Sequence, residues 1–317
     1  MAVYLGRNSA IGLGEESTWG SAVSRSNWRP LANVSLYRKV TQVPRPDLKS
    51  DATSAMRRGH FVSEDATDGS ASLVCNYGSM GLFFKHAMGT AAAPSGSDPY
   101  THVYTLAASQ PTGLTVEVVR GTSTKSEVFE GCKINSATFS VSAGDAMMLD
   151  LDFIGQTAAA RGSAGTPSYA AEELLVLHSH AGQLNFNSVN YDLRSMTLTI
   201  SNSLDRRQLL GSAETKEPVR SDFMSVTLDV ELEAVDTLYA AQLAGTQGDV
   251  TIAFTHPTVS NRSITFLIEN AYLATCDDSI SDAGVVSLSG QFVAESDGTN
   301  EGLKVTVVNG NSSNTGN

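Results

Sequence analysis

The sequence predicts a mainly β protein built from one unit used twice, each copy carrying a short helix, and three observations predict it. The first is a stretch that recurs: residues 70–90 read SASLVCNYGSMGLFFKHAMGT and residues 225–246 read SVTLDVELEAVDTLYAAQLAGT. Apolar residues alternate in both, as Ala71, Leu73, Cys75 and Tyr77 and as Val226, Leu228, Val230 and Leu232, which is the period of a half-buried strand. A helical period follows: Met80, Phe83, Phe84 and Ala87 fall at i, i+3, i+4 and i+7, and Val235, Leu238, Tyr239 and Gln242 repeat the spacing. Gly89 and Gly245 stand where a left-handed residue stops a helix.

The second observation is a later match at a constant offset. Glu130 aligns with Glu269, Leu149 with Leu288 and Phe153 with Phe292, each pair 139 residues apart. KINSATFSVSAGDAMMLDLDFIGQ thereby faces YLATCDDSISDAGVVSLSGQFVAE, two alternating strands about a small-residue turn at Ala143-Gly144 and Ala283-Gly284. The first stretch recurs at 155 to 156, as Leu73 with Leu228 and Gly89 with Gly245, so the first unit holds about 17 extra residues near 91–108 (156 − 139). The third observation is composition. At 317 residues, 41% hydrophobic and 17% charged, the chain can fold two units with cores of their own.

In chain order, residues 1–30 mix glycine, serine and isolated aromatics without a period and read as an extended arm, with Trp19 and Trp28 packing on the chain's own domain or on a neighbour. A first strand over 31–43 meets Pro44 and Pro46, which a central strand does not accept. The polar stretch 44–68 is too long for a hairpin loop and has an echo at 204–222; Arg57 and Arg58 match Arg206 and Arg207. Arginine pairs on loops are most often simply solvated, whereas two at equivalent places suggest a repeated contact with another subunit. Short strands follow at 100–106, 114–120 and 126–134, and the hairpin 137–153 closes a unit spanning 31–156. Residues 157–181 read as a linker, entering a second unit over 182–296 with strands at 182–186, 195–202, 225–232, 250–255, 263–268, 272–280 and 285–294. The tail 297–317 ends in NGNSSNTGN, and 303–308 is suited to extending a neighbour's sheet as an edge strand.

Charge and side-chain chemistry narrow the function. The net charge of −12 argues against a surface that grips nucleic acid, though not against one past which nucleic acid slides. Cys75, Cys132 and Cys276 are an odd set, two of them at alternating apolar positions, which fits reduced thiols in a reducing compartment. Residues 1–10 lack the apolar core of a signal peptide, and no run is long enough to span a bilayer, so synthesis and folding in a cytoplasm are expected. Six histidines are scattered; His178 and His180 share one face of an expected strand without a third ligand. Gly12-Leu13-Gly14 does not lead a strand into a helix, so no dinucleotide loop is expected. The carboxylate pairs Asp150 with Asp152, Asp229 with Glu231 and Asp277 with Asp278 are read as solvated rather than catalytic. Met147, Leu149, Leu151 and Phe153 point to a core while Met148, Asp150 and Asp152 point away. Asp229 and Glu231, then Ser287, Ser289 and Gln291, fall on the same kind of polar face, which gives an antiparallel sheet with one packed and one acidic, wet side.

These features resemble the major tail tube proteins of long-tailed, siphovirus-like bacteriophages, in the version of about this length with two tandem tube domains. The likeness rests on the N-terminal GLGEESTWG, on the order strand, long polar loop, strand, helix, and on the closing hairpin MMLDLDFIGQ with its copy VVSLSGQFVAE. It covers nearly the whole chain and departs from the pattern near 91–108 and at the C terminus. The resemblance implies two tandem β-sandwich domains, each with a flanking helix, whose inner sheets join those of neighbours into a ring-shaped β-barrel. Single-domain relatives form six-membered rings, so a duplicated chain would close as a trimer, and rings would stack into a tube. On that reading Asp150, Asp152, Asp229, Glu231, Ser287, Ser289 and Gln291 line the lumen, while Arg57, Arg58, Arg206 and Arg207 lie on loops between rings. The implied partners are further copies of the chain, a tape measure protein and DNA in the lumen, and tail terminator and distal tail proteins at the ends. No cofactor, metal, catalysis or membrane binding is implied, and the destination is the virion tail after assembly in the host cytoplasm. The alternative is a carbohydrate-binding or adhesin-like β-sandwich module. That reading needs exposed aromatics clustered on one face, whereas aromatics make up 7% and fall mostly at core positions.

Overall fold

The computed structural model describes residues 5–47, 59–121, 125–169, 174–233, 236–259, 261–279, 286–298 and 302–314. The first half of the chain forms β1 (Ala10–Glu15), β2 (Asn27–Arg29), β3 (Asn33–Val34), β4 (Tyr37–Pro44), β5 (His60–Val74), α1 (Gly81–Met88), β6 (Gly89–Ala91), β7 (Ser95–Gly96), β8 (Tyr100–Leu106), β9 (Leu114–Val119), β10 (Ser126–Ser142), β11 (Met148–Gly155) and β12 (Thr157–Ala158). The second forms β13 (Leu184–Phe186), β14 (Val189–Tyr191), β15 (Leu193–Ser201), β16 (Leu204–Arg207), β17 (Lys216–Arg220), β18 (Ser225–Glu233), α2 (Asp236–Leu243), β19 (Gln247–Thr255), β20 (Ser263–Ser279), β21 (Ser287–Ala294) and β22 (Leu303–Asn309). The protein is therefore mainly β, as its alternation predicts.

One wide antiparallel sheet runs β3, β5, β11, the C-terminal part of β10, β15, β18, β21 and the C-terminal part of β20. A second layer is built from the N-terminal parts of the same two long strands: β2, β1, β9 and β10 in one half, and β13, β19, β20, β22 and β8 in the other. Among the described residues these pairings form an open, branched path, with β3–β4 and the end of β20 as free edges of the wide sheet. The layers share one apolar core, in which Phe84 of α1 stacks on Phe139 of β10 at 5.0 Å between ring centres and both meet Phe266 of β20.

Sequence reasoning divided β10 and β20 into two strands each; both are single strands that bend from one layer into the other. At the bends Gly131 (φ 64°) and Asn270 (φ 53°) are left-handed, a conformation open to glycine and tolerated by asparagine. They are 139 residues apart, and the bulges at Ile134/Ser136 and Leu273/Thr275 keep the same offset. The correspondence of β5 with β18 needs correcting. Phe153 lies opposite Gly69 and Phe292 opposite Leu228, so Leu228 matches Gly69 rather than Leu73. A slip of four residues leaves a period of two intact, so the apolar face hid it from the sequence. Its cause is the spacing into the helix: α1 starts at Gly81 after β5 ends at Val74, whereas α2 starts at Asp236 after β18 ends at Glu233.

Three further expectations change. Residues 1–30 are not an arm without strands: β1 inserts between β2 and β9. Glycines at alternate positions of AIGLGE masked its period, and a Cβ on Gly12 would sit 2.9 Å from the Trp28 ring. The GLGEESTWG stretch is fastened by buried Glu16, which accepts from the Gly131 amide (2.8 Å), the Gly20 amide (2.8 Å) and Thr115 Oγ1 (2.9 Å), and by Trp19 Nε1, which donates to the Gly131 carbonyl at 3.0 Å. His178–His180 is a single 3-10 turn, not a strand. Finally, β22 does not serve a neighbour: it fills the place between β20 and β8 of its own chain, where His102 Nε2 and Asn309 Oδ1 meet at 3.0 Å.

Candidate functional site

The wide sheet has two unlike sides, and its register sets out the polar one row by row. Ser72, Asp150, Thr138, Thr199 and Thr227 lie side by side across successive strands, as do Ser70, Asp152, Ser136, Ser201 and Ser225. A third row runs Ser140, Thr197, Asp229, Gln291 and Thr275, and a fourth Ser142, Ser195, Glu231, Ser289 and Asp277. Because side chains alternate, the residues between them, among them Ala137, Phe139, Leu149, Leu151, Leu198, Ile200, Leu228 and Val230, are buried on the other side. Serine and threonine fit here because they hold a pleated surface while remaining hydrated. Over these stretches the rows contain no lysine, arginine or aromatic residue; beyond them the first runs on to Val293 and Tyr272 and the third to Met148 and Val74.

The carboxylates of this face are joined to their neighbours by hydrogen bonds. Ser72 Oγ donates to Asp150, Asn135 Nδ2 donates to Asp152 Oδ2 at 3.1 Å, Gln291 Nε2 donates to Asp229 Oδ1 at 2.8 Å and Ser195 Oγ donates to Glu231 Oε2 at 3.4 Å. At one margin Arg194 meets Glu233 at 3.4 Å. Thus Asp150, Asp152, Asp229, Glu231, Ser287, Ser289 and Gln291, singled out from alternation, fall on one surface; Ser287 lies opposite Glu233. The Ser/Thr rows of β10 and β15, which make up its middle, went unnoticed, although every second residue from Ser136 to Ser142 and from Ser195 to Ser201 announces them.

The second candidate region is a pair of hairpins. Residues 204–222, expected as a loop, form β16 and β17, and this hairpin lies against β5. Arg206 bonds Asp68 through both terminal nitrogens and meets Glu64 at 3.4 Å, with 17% of its side chain exposed. Arg207 Nε donates to the Glu217 carbonyl at 3.0 Å within its own hairpin. Leu209 and Leu210 stand exposed at the tip. Arg57 and Arg58 lie outside the described residues.

Other titratable clusters have structural surroundings. Tyr77 donates its hydroxyl to His180 Nδ1 at 3.0 Å, and the Val259 amide donates to His256 Nδ1 at 3.0 Å, so each ring uses that nitrogen as an acceptor. Burial, then the neighbouring His256 and His178, lowers the pKa of His180. Among the described residues no carboxylate bonds to these rings. Burial raises the thiols of Cys75, Cys132 and Cys276, all three free. Among the described residues no three His, Cys, Asp or Glu side chains are placed to hold a metal, and no helix is long and apolar enough to cross a membrane.

A family model described as phage tail tube protein matches residues 6–294. No curated protein matches the chain.

Proposed function

The chain belongs to the phage tail tube protein family and is a structural component of a bacteriophage tail, and from that premise we propose that three copies close into a ring and that rings stack into a tube around a lumen for DNA. Each copy supplies two tandem tube domains, residues 31–156 and 182–296, joined by 157–181, with 1–30 adding β1 and β2 to the first and 297–317 adding β22 between β20 and β8. The observation that carries the reading is the polar face: four rows of Ser, Thr, Asp, Glu and Gln without a cation, as a wall must be if a polyanion is to pass without sticking. Two free edges of the wide sheet support closure, because a ring removes edges that would otherwise pair at random. Tyr272 and Tyr37 lie on strands at opposite ends of the wide sheet rather than clustered, which counts against a sugar-binding face, where rings stack on sugars.

Asp150, Asp152, Asp229, Glu231, Ser287, Ser289 and Gln291 then line the lumen. The β16–β17 hairpin, with Arg207 and the exposed Leu209 and Leu210, faces the adjacent ring together with Arg57 and Arg58, while Arg206 anchors the hairpin from within. A tape measure protein and DNA occupy the lumen in turn, terminator and distal tail proteins close the ends, and assembly takes place in the host cytoplasm. Negative-stain microscopy and native mass measurement of the full chain test this. Rings of three chains, or tubes with a central channel, are expected; monomers at every concentration would overturn it.

A further inference from the structure

The two halves of the wide sheet are joined inside the chain, and that joint is a template for a second one. In it β10 and β15 pair antiparallel from Ser136 opposite Ser201 to Ser142 opposite Ser195, with Thr138 facing Thr199. The counterpart of this part of β10, 139 residues on, is the end of β20, which carries β21 on one side and, among the described residues, no strand on the other from Thr275 to Ser279. The counterpart of β15 is the β3–β4 edge. Thr199 lies opposite Thr227, and Thr227 opposite Val293; likewise Tyr37 lies opposite Asp68, and Asp68 opposite Ile154, and 154 and 293 are 139 apart. Tyr37 therefore stands where Thr199 stands, and Asp277 where Thr138 stands.

The helices differ in the matching way. Phe84 and Met88 of α1 are fully buried, and the Ala87 carbonyl accepts from Asn202 of the second half at 3.0 Å. At the same positions of the eight-residue α2, Tyr239 is 47% and Leu243 71% exposed. Both helices pack on the long strand of their own half, and Gln242 Nε2 reaches the Ala274 carbonyl of β20 at 3.4 Å. The uncovered side of α2 and the free edge of β20 thus form one surface. Part of what covers α1 is the following half of the chain, through Phe266 and Asn202, and for α2 a following half can come only from another copy.

We infer that residues 275–279 of β20 pair antiparallel with residues 35–39 of a second copy, Asp277 opposite Tyr37 and Ser279 opposite Ser35, and that Tyr239 and Leu243 are buried by that same copy. In this register Asp277 lies diagonal to Lys39 of the second copy and Asp278 to Arg38, cations that already pair with Glu64 and Asp68 and with Asp65 of their own chain, so the acidic end of β20 meets an edge whose charges are balanced rather than another acidic one. Arg120, whose Nη2 now bonds the Leu36 carbonyl on that edge, yields it to the incoming strand. The interface is head to tail, so each copy uses both edges and the joint repeats around the ring. The inference rests on the ring reading and adds its register and its helix contact.

The test is cross-linking of the double variant Tyr37→Cys with Asp277→Cys in the full chain, since facing positions of antiparallel strands lie about 4.5–5.5 Å apart at Cα, within disulfide reach. Mild oxidation should give covalent dimers and trimers on a non-reducing gel, and neither single variant should do so. Ser35→Cys with Ser279→Cys provides a second pair should the first disturb folding. Tyr239→Glu should leave the circular dichroism of the monomer unchanged and raise the concentration needed for assembly at least tenfold. Rings or tubes in which neither pair cross-links, or which Tyr239→Glu leaves intact, would overturn the register and spare the ring. Absence of rings and tubes from the unaltered protein would overturn both.

Discussion

Beneath α1, the cluster of Glu15, Lys85 and His86 couples the folded chain to pH. Glu15 accepts from Lys85 Nζ at 2.6 Å and from His86 Nε2 at 2.9 Å, a bond that a neutral imidazole makes as donor. The His86 bond, with Lys85 assisting, holds the Glu15 carboxyl at about 2 against an ordinary 4.5. Burial lowers the pKa of His86 itself, and the bond to Glu15 opposes that shift without cancelling it. Both folded-state values lie below those of the unfolded chain, so both groups contribute stability at neutral pH that acid removes. The loss begins as pH falls below about 6.5, where His86 protonates in the unfolded chain, and continues below about 4.5 on account of Glu15. Thermal melts of the unassembled chain should therefore fall steadily from pH 7 to pH 3, and Glu15→Gln should flatten the portion below pH 4.5 while steepening the portion above it, where His86 loses the bond that held its pKa up. A difference between variant and parent that stays constant over the whole range would remove Glu15 from this account.

Among the elements, the β16–β17 hairpin depends most on one side chain. Arg206 spans from this hairpin to Asp68 and Glu64 of β5, and Gln208 adds a bond to the Ser63 carbonyl. Half-buried charge-assisted bonds of this kind contribute about 1.5–3 kcal/mol. Arg206→Ala should cost about that much in chemical unfolding of the monomer and leave the hairpin open to proteolysis at its tip, whereas Arg207→Ala should cost under about 0.5 kcal/mol, as exposed substitutions do. Equal effects would mean that Arg206 does not anchor the hairpin. Such long-range pairing was not legible in the sequence, which gave the arginine but not its partner 138 residues away. Strands with plain alternation were legible nearly to the residue: Tyr100–Leu106 is as expected, and α1 and α2 fall where their periods put them. What escaped were elements whose glycines or bends hide the period, namely β1 and the continuous β10 and β20, and the place of β22, since a strand's own residues do not name its neighbour. The acidic members of the polar face were legible because charge at every second position is conspicuous. Its Ser/Thr middle was not, because the same residues are common in loops.

At the scale of the whole molecule, the polar face matters through repetition. Asp150, Asp152, Asp229 and Glu231 are spread over two strands of one sheet, each bonded only to neutral neighbours within that sheet, so their charge is not cancelled locally. In the proposed stack of rings the same four carboxylates would recur in every copy, and a modest charge per chain would become a continuous negative lining. DNA carries one negative charge per about 1.7 Å of its axis, so even weak attraction at each level would add up along a tube and hold it fast. On the proposed reading, repulsion from such a hydrated wall would leave passage fast at any tube length. Replacing Asp150, Asp152, Asp229 and Glu231 by lysine changes the wall by eight charges per chain while leaving Leu149, Leu151, Leu228 and Val230 to fill the core. Tubes of ordinary length are expected by microscopy, together with DNA delivery slowed at least tenfold and partly restored at high salt, which screens phosphate contacts. Replacement by asparagine and glutamine should slow delivery far less, because it removes repulsion without adding attraction. If the lysine tubes deliver DNA at the parent rate, the face is not the lumen wall, and the Ser/Thr rows would have to be explained as an outer surface.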